Sequence, residues 1–172
     1  MLIEKAWAKV HGTFARVSGG LSGFACAHLT GVPSEKVMTA KVKDPDHLWK
    51  KLRASHKKNF SMMCSSVGKG EKNMGNGIIT GHAYTVVDLR KFEHNGKIVR
   101  LIRLRNPWGQ GEWTGDWGTN SSLWTNALRK QMDEENLEDN GIFYMPFSDF
   151  MTHFSSMSIC ADLNPEKYFI NH

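Results

Sequence analysis

Two β-rich runs, HAYTVVDLRKFEH at 82–94 and KIVRLIRLR at 97–105, flank the dipeptide Asn95-Gly96. Asparagine and glycine both enter the left-handed region readily, and a tight hairpin turn needs that at its two central positions. The segment therefore predicts an antiparallel hairpin, and the rest of the chain must pack around it. Upstream the pattern is helical. LIEKAWAKVHG puts Leu2, Ile3, Ala6, Trp7 and Val10 on one face, with Gly12 as a stop. After the Gly19-Gly20 break, LSGFACAHLTG predicts a short helix ending at Gly31. Asp44-Pro45 starts another: an acidic cap, then proline where its missing N–H costs nothing. That helix turns Leu48, Trp49 and Leu52 inward and leaves Lys50, Lys51 and Lys57 in water.

After residue 58 the pattern changes. FSMMCSSV predicts a strand, and GKGEKNMGNG at 68–77 predicts a mobile loop. Residues 106–120, rich in Trp and Gly, predict an ordered irregular loop, and 122–134 a helix. NGIFYMPF predicts a strand, Ser148-Asp149 a short capped helical turn, and SMSICADL a last strand. No repeat or linker divides the chain, so residues 1–172 are expected to form one domain. Helices first and antiparallel strands after make the class α+β, antiparallel β-sheets with flanking helices.

Composition removes several functions. No apolar run is long enough to span a membrane. MLIEKAWAKV lacks the features of a secretory signal, and three scattered cysteines make no disulfide scaffold, so a reducing, cytoplasmic setting is expected. The net charge is +5, and residues 35–58 carry eight Lys/Arg against three Asp/Glu. Such a stretch either binds nucleic acid or is a solvated helix face. No nucleic-acid motif accompanies it, and the second reading is preferred. The histidines show no spacing suited to zinc.

The chemistry lies at the ends of the hairpin. His82 opens one strand, where a glycine-rich loop meets it, and Gly81 frees the backbone and leaves space beside the ring. Asn106 closes the other strand, and Pro107 sets the geometry that follows. At one end of a sheet the two side chains can meet. A carboxamide oxygen accepts an imidazole N–H, fixes the ring and its tautomer, and leaves the second nitrogen for proton transfer. That is the orienting part of a nucleophile–base–orienter triad. A neutral orienter suits a thiolate–imidazolium pair, in which the thiolate already balances the charge. Trp108 is placed to shield the bond from water.

Gly81-His82-Ala83-Tyr84, Arg105-Asn106-Pro107-Trp108-Gly109 and Glu112-Trp113-Thr114-Gly115-Asp116-Trp117, in this order, resemble the calpain family of papain-like cysteine proteases. EKAWAKVHGTFARVSGG resembles the helix that opens the second half of the calpain protease core, and GIFYMPFSDFMTHFSSMSIC the end of that core. The resemblance implies the β-rich lobe of a papain-like protease, with His82 as catalytic base and acid, Asn106 as its orienter and Trp108 bordering the substrate cleft. It implies an intracellular cysteine endopeptidase acting on protein or peptide substrates.

In that family the catalytic cysteine precedes His and Asn on a separate, largely helical half. None of Cys26, Cys64 and Cys160 opens a helix after a glycine-rich loop, where a thiol is activated. Cys26 reads as a small core residue. The chain is thus expected to be one lobe of a longer protein, to need the Cys-bearing lobe as its partner, and to be inactive alone. Loop 68–77 either closes over the cleft or is a long surface connection.

The resemblance also implies a calcium site on this half, in two acidic loops. Glu112 matches one ligand. Thr119, Asn140 and Ile142 fall where the family has other acidic ligands, and Ile142 cannot coordinate a cation. No cofactor is expected to be required by this lobe, and a shifted calcium site would have to use Glu138 or Asp139. The acidic run from Asp133 to Glu135 reads as a solvated helix end. The alternative to an enzyme is a non-catalytic pseudoprotease or docking module. Retention of both His82 and Asn106 argues against it.

Overall fold

A computed structural model describes residues 2–161. Two helices come first, α1 (Leu2–His11) and α2 (Ser22–Thr30), followed by strand β1 (Ser34–Met38) and helix α3 (Pro45–Lys57). Strands β2 (Ser61–Ser66), β3 (Ala83–His94) and β4 (Lys97–Arg105) come next, then α4 (Asn126–Met132), β5 (Ile142–Pro146), α5 (Phe147–His153) and β6 (Phe154–Cys160). All six strands form one sheet in the order β1-β6-β2-β3-β4-β5, with every pairing antiparallel. The α+β class follows directly.

Local chemistry accounts for most boundaries. Asn95 and Gly96 take φ of 51° and 73° and turn β3 back onto β4 in register from His94↔Lys97 to Thr85↔Arg105. Gly12 and Gly31 end α1 and α2 with positive φ. Asp44 caps α3 by accepting from the backbone N–H of His47, with Pro45 in the first turn.

The main core lies between one face of the sheet and α3 and α5. Leu48, Trp49 and Leu52 of α3 pack there against Ile102 and Leu104 of β4 and Phe143 and Met145 of β5. Leu101, just before Ile102, and Tyr144, between Phe143 and Met145, point the other way into a second cluster with Trp117, Trp124 and Met132. Strand β5 is thus covered on both faces, which explains why its apolar run is continuous rather than alternating.

Several elements differ from expectation. The helix expected over 122–134 is confined to Asn126–Met132, because the Thr125 side chain caps it by accepting from Leu128 N–H. Helix α5 starts at Phe147, ahead of Ser148-Asp149, and β6 starts at Phe154. The residues expected to extend the last strand beyond 161 lie outside the described ones. Strand β1 was hidden in the basic stretch, as the charged edge segment SEKVM. Cys26 is only half-buried, not a core residue. Most of the apolar face of α1 is uncovered among the described residues: Leu2 is 86% exposed, Ile3, Val10 and, nearby, Phe14 and Phe24 are also exposed, and only Trp7 is half-buried, against His11 and His28.

Candidate active site

The hairpin register puts the start of β3 beside the end of β4, so His82 and Asn106 sit at the same end of the sheet. Their side chains meet: His82 Nε2 lies 2.9 Å from Asn106 Oδ1. Asn106 is fully buried and His82 is 6% exposed.

Asn106 is held from every side. Its backbone N–H donates to Gly141 O at 2.7 Å, and Gly109 N–H donates to its carbonyl at 3.0 Å, closing a turn through Pro107 and Trp108. Inside that turn Trp108 N–H donates to Asn106 Oδ1 (3.1 Å), the Asx geometry favoured before proline, and Asn106 Nδ2 donates to Gln110 O (2.7 Å). Those two bonds settle which end of the amide is oxygen. Oδ1 therefore accepts, and His82 Nε2 must carry a proton. Gly141 allows this approach: with φ of +75°, an added Cβ would lie 2.8 Å from Gln110 N and 3.1 Å from Asn106 O.

His82 is seated by residues that sequence reasoning missed. Ser66, buried on β2, accepts from His82 N–H through Oγ (3.0 Å) and donates its own N–H to His82 O (3.0 Å). The Tyr84 ring meets the imidazole edge-on at 5.1 Å, and its hydroxyl accepts from Ile79 N–H at 2.9 Å. Trp108 leans over the imidazole with 4.5 Å between ring centroids and is 48% exposed, whereas Trp113 and Trp117 of the same loop are buried. It covers one side of the His–Asn bond and keeps its other side in solvent. The second missed residue is Glu71, whose carboxylate lies 2.8 Å from His82 Nδ1. No sequence signal marks Ser66. The only sign of Glu71 is that it is the one carboxylate in the glycine-rich loop before His82.

Two of the three cysteines, Cys64 and Cys160, are buried and are not placed to attack. Cys64 is buried in β2 with its thiol directed to Tyr84 O, and burial pushes that thiol well up from its ordinary value. Burial likewise pushes Cys160 up to about 12. A thiol so shifted is an inert core group.

The two loops where the resemblance implies calcium are joined by the protein itself. One oxygen of Glu112 accepts from Asn140 N–H (2.9 Å) and Gly141 N–H (3.1 Å), and the other accepts from the Thr119 hydroxyl. Asn140 Oδ1 is taken by Ile142 N–H, and Asp139 accepts from Gly111 N–H. Glu134 is not solvated as its acidic surroundings suggested. It is buried, receives Arg103, lies 3.3 Å from Thr119 Oγ1, and burial raises its pKa against the opposing pull of Arg103. Among the described residues no group of three or more His, Cys, Asp or Glu is arranged to hold a metal. This donor set does not fit calcium, because the carboxylates are taken by backbone N–H groups, the Thr119 hydroxyl and Arg103 rather than converging on a common centre. Titration calorimetry of the chain is expected to give no heat of binding at micromolar calcium. An isotherm saturating there would overturn this assignment.

The residues form a fixed imidazole with one nitrogen held by a buried amide and the other facing the exposed loop side. A family model described as "Calpain family cysteine protease" matches residues 1–161. The chain is 35% identical to the calpain-2 catalytic subunit of Mus musculus over 172 residues, which is 96% of this chain and 24% of that protein. It is 34% identical to calpain-9 of Rattus norvegicus, again over 96% of this chain and 24% of the relative. For the calpain-1 catalytic subunit of Homo sapiens the figures are 35% identity, 96% and 23%. The chain therefore spans about a quarter of the length of the curated relatives it matches.

Proposed function

The chain belongs to the calpain family of cysteine proteases, and on that footing we propose that it supplies the base and its orienter to an endopeptidase site completed by a Cys-bearing lobe of the same full-length protein. The observation that carries the reading is the 2.9 Å contact from His82 Nε2 to Asn106 Oδ1, which leaves Nδ1 as the nitrogen for proton transfer.

The chemistry follows from that assignment. A thiolate on the other lobe attacks the scissile carbonyl carbon, and the C=O electron pair moves onto oxygen. The carbonyl re-forms as the C–N bond breaks, and the His82 imidazolium gives its Nδ1 proton to the departing amine. The neutral imidazole then takes a proton from water, whose oxygen attacks the thioester. The C–S bond breaks, and the thiolate–imidazolium pair returns. Throughout, Asn106 keeps Nε2 protonated and the ring in plane. Trp108, exposed on the solvent side of the imidazole, borders the peptide's path. The uncovered apolar residues of α1 and α2 provide a surface on which the other lobe packs.

The test compares two samples on a fluorogenic peptide. The isolated chain is expected to give no turnover that a thiol alkylator blocks. The full-length protein, carrying a cysteine in the missing position, is expected to give such turnover. Turnover by the isolated chain would sink the single-lobe assignment. An inert full-length protein, or one with no cysteine in that position, would make this lobe a docking module instead.

A further inference from the structure

The nitrogen that proton transfer needs is already occupied. Glu71 places its carboxylate 2.8 Å from His82 Nδ1, while Nε2 is bonded to Asn106. Both partners are acceptors, because the Asn106 amide is oriented by Trp108 N–H and Gln110 O. Only an imidazolium donates to both at once. Glu71 thus supplies the negative charge that a thiolate supplies in an assembled thiolate–imidazolium pair.

The loop is built to present it. Thr80, two residues before His82, clasps the loop on either side of Glu71. Its hydroxyl donates to Gly70 O and accepts from Lys72 N–H (3.1 Å), and its backbone N–H donates to Lys72 O (2.8 Å). Gly81 N–H adds a bond to Val67 O at 3.1 Å. Gly81 has φ of +56°, and a Cβ there would press within 3.4 Å of Gly68 O, Lys69 Cα and Gly70 N. The glycine lets the loop lie directly against the strand entry that carries the histidine.

We propose that Glu71 is a self-blocking latch: it holds the His82 imidazolium at Nδ1 and must swing away before the nucleophile can take its place. The proposal rests on the reading of His82 as the catalytic base. Exchange of carboxylate for thiolate moves no proton, since the imidazolium keeps both of its own. The latch is shallow, because Glu71 is 53% exposed and an ion pair so open to water is weak and screened by salt.

The test has two readouts. In the 15N-labelled chain, Glu71→Gln is expected to shift the His82 Nδ1 resonance and leave Nε2 in place, while Lys72→Gln moves neither. In the full-length protein, Glu71→Gln and Thr80→Val are expected to raise kcat/KM about fivefold at low salt. That gain should vanish at high salt, and Thr80→Ser, which keeps the hydroxyl, should behave as the parent. An Nδ1 resonance unmoved by Glu71→Gln overturns the latch and leaves the protease assignment standing. A shifted resonance with kcat/KM unchanged or lowered also overturns it. A full-length protein inert in every variant removes the protease assignment and the latch with it.

Discussion

Alanine at His82 is expected to lower the alkylator-sensitive peptide turnover of the full-length protein by about four orders of magnitude, while the isolated lobe still folds. The lobe survives because no hydrogen bond in the core depends on the ring alone. Asn106 Oδ1 keeps Trp108 N–H, its Nδ2 keeps Gln110 O, and the backbone of residue 82 keeps Ser66. Alanine at Asn106 behaves differently. It removes the partner of the buried histidine Nε2 and of the half-buried Trp108 N–H and Gln110 O, at a cost of about 1–3 kcal/mol. Turnover is expected to fall there too, by about a hundredfold or more, with melting temperature falling alongside. Steady-state kinetics and thermal melts on both variants separate the two roles. A His82→Ala protein within tenfold of its parent would end the assignment of this imidazole as base.

Both of these residues were legible in the sequence for a local reason. Each sits at an end of a hairpin whose turn is announced by Asn95-Gly96, so their meeting needs only one pairing register. What failed to show was non-local. Glu71 reaches His82 only because Thr80 and Gly81 fold the loop back on itself, and nothing in GKGEKNMGNG signals that clasp. Strand β1 is five residues with a glutamate and a lysine, and it forms because β6 offers a free edge. Glu134 looked solvated in a run of acids, yet Arg103 and Thr119, distant in sequence, make its burial tolerable. The periodicity of α1 marks Leu2, Ile3, Ala6, Trp7 and Val10 as one face, yet the residue of that helix that is buried is Ala8. Periodicity says that a face seeks cover, and among the described residues that face is largely without it.

The site also rests on packing that runs from the sheet end to α3, and Phe154→Ala is expected to expose this. Aromatic rings step inward from the imidazole: His82 to Tyr84 at 5.1 Å, Tyr84 to Phe154 at 5.4 Å, and Phe154 to Phe150 at 4.7 Å. They continue through Phe147 to Trp49 of α3 at 6.0 Å and 5.0 Å. Phe154 is the fully buried middle of this column, where β6 leaves α5. Removing its ring forfeits about 3–5 kcal/mol through lost transfer energy and the cavity left behind. For a chain of this size that is a fall of roughly 10 °C in melting temperature. The loss does not stay in the core. Tyr84 loses the ring it stands on, and its hydroxyl sets the backbone of Ile79, the start of the turn that delivers Thr80, Gly81 and His82. The histidine ring resonances are therefore expected to broaden or shift in Phe154→Ala well below its melting point, and to do so much less in Phe154→Leu, which refills most of the space. A melting temperature within about 3 °C of the parent would mean that the column is not close-packed. In that case the rigidity of the His82–Asn106 pair would have to come from the Ser66 and Gly141 backbone bonds alone.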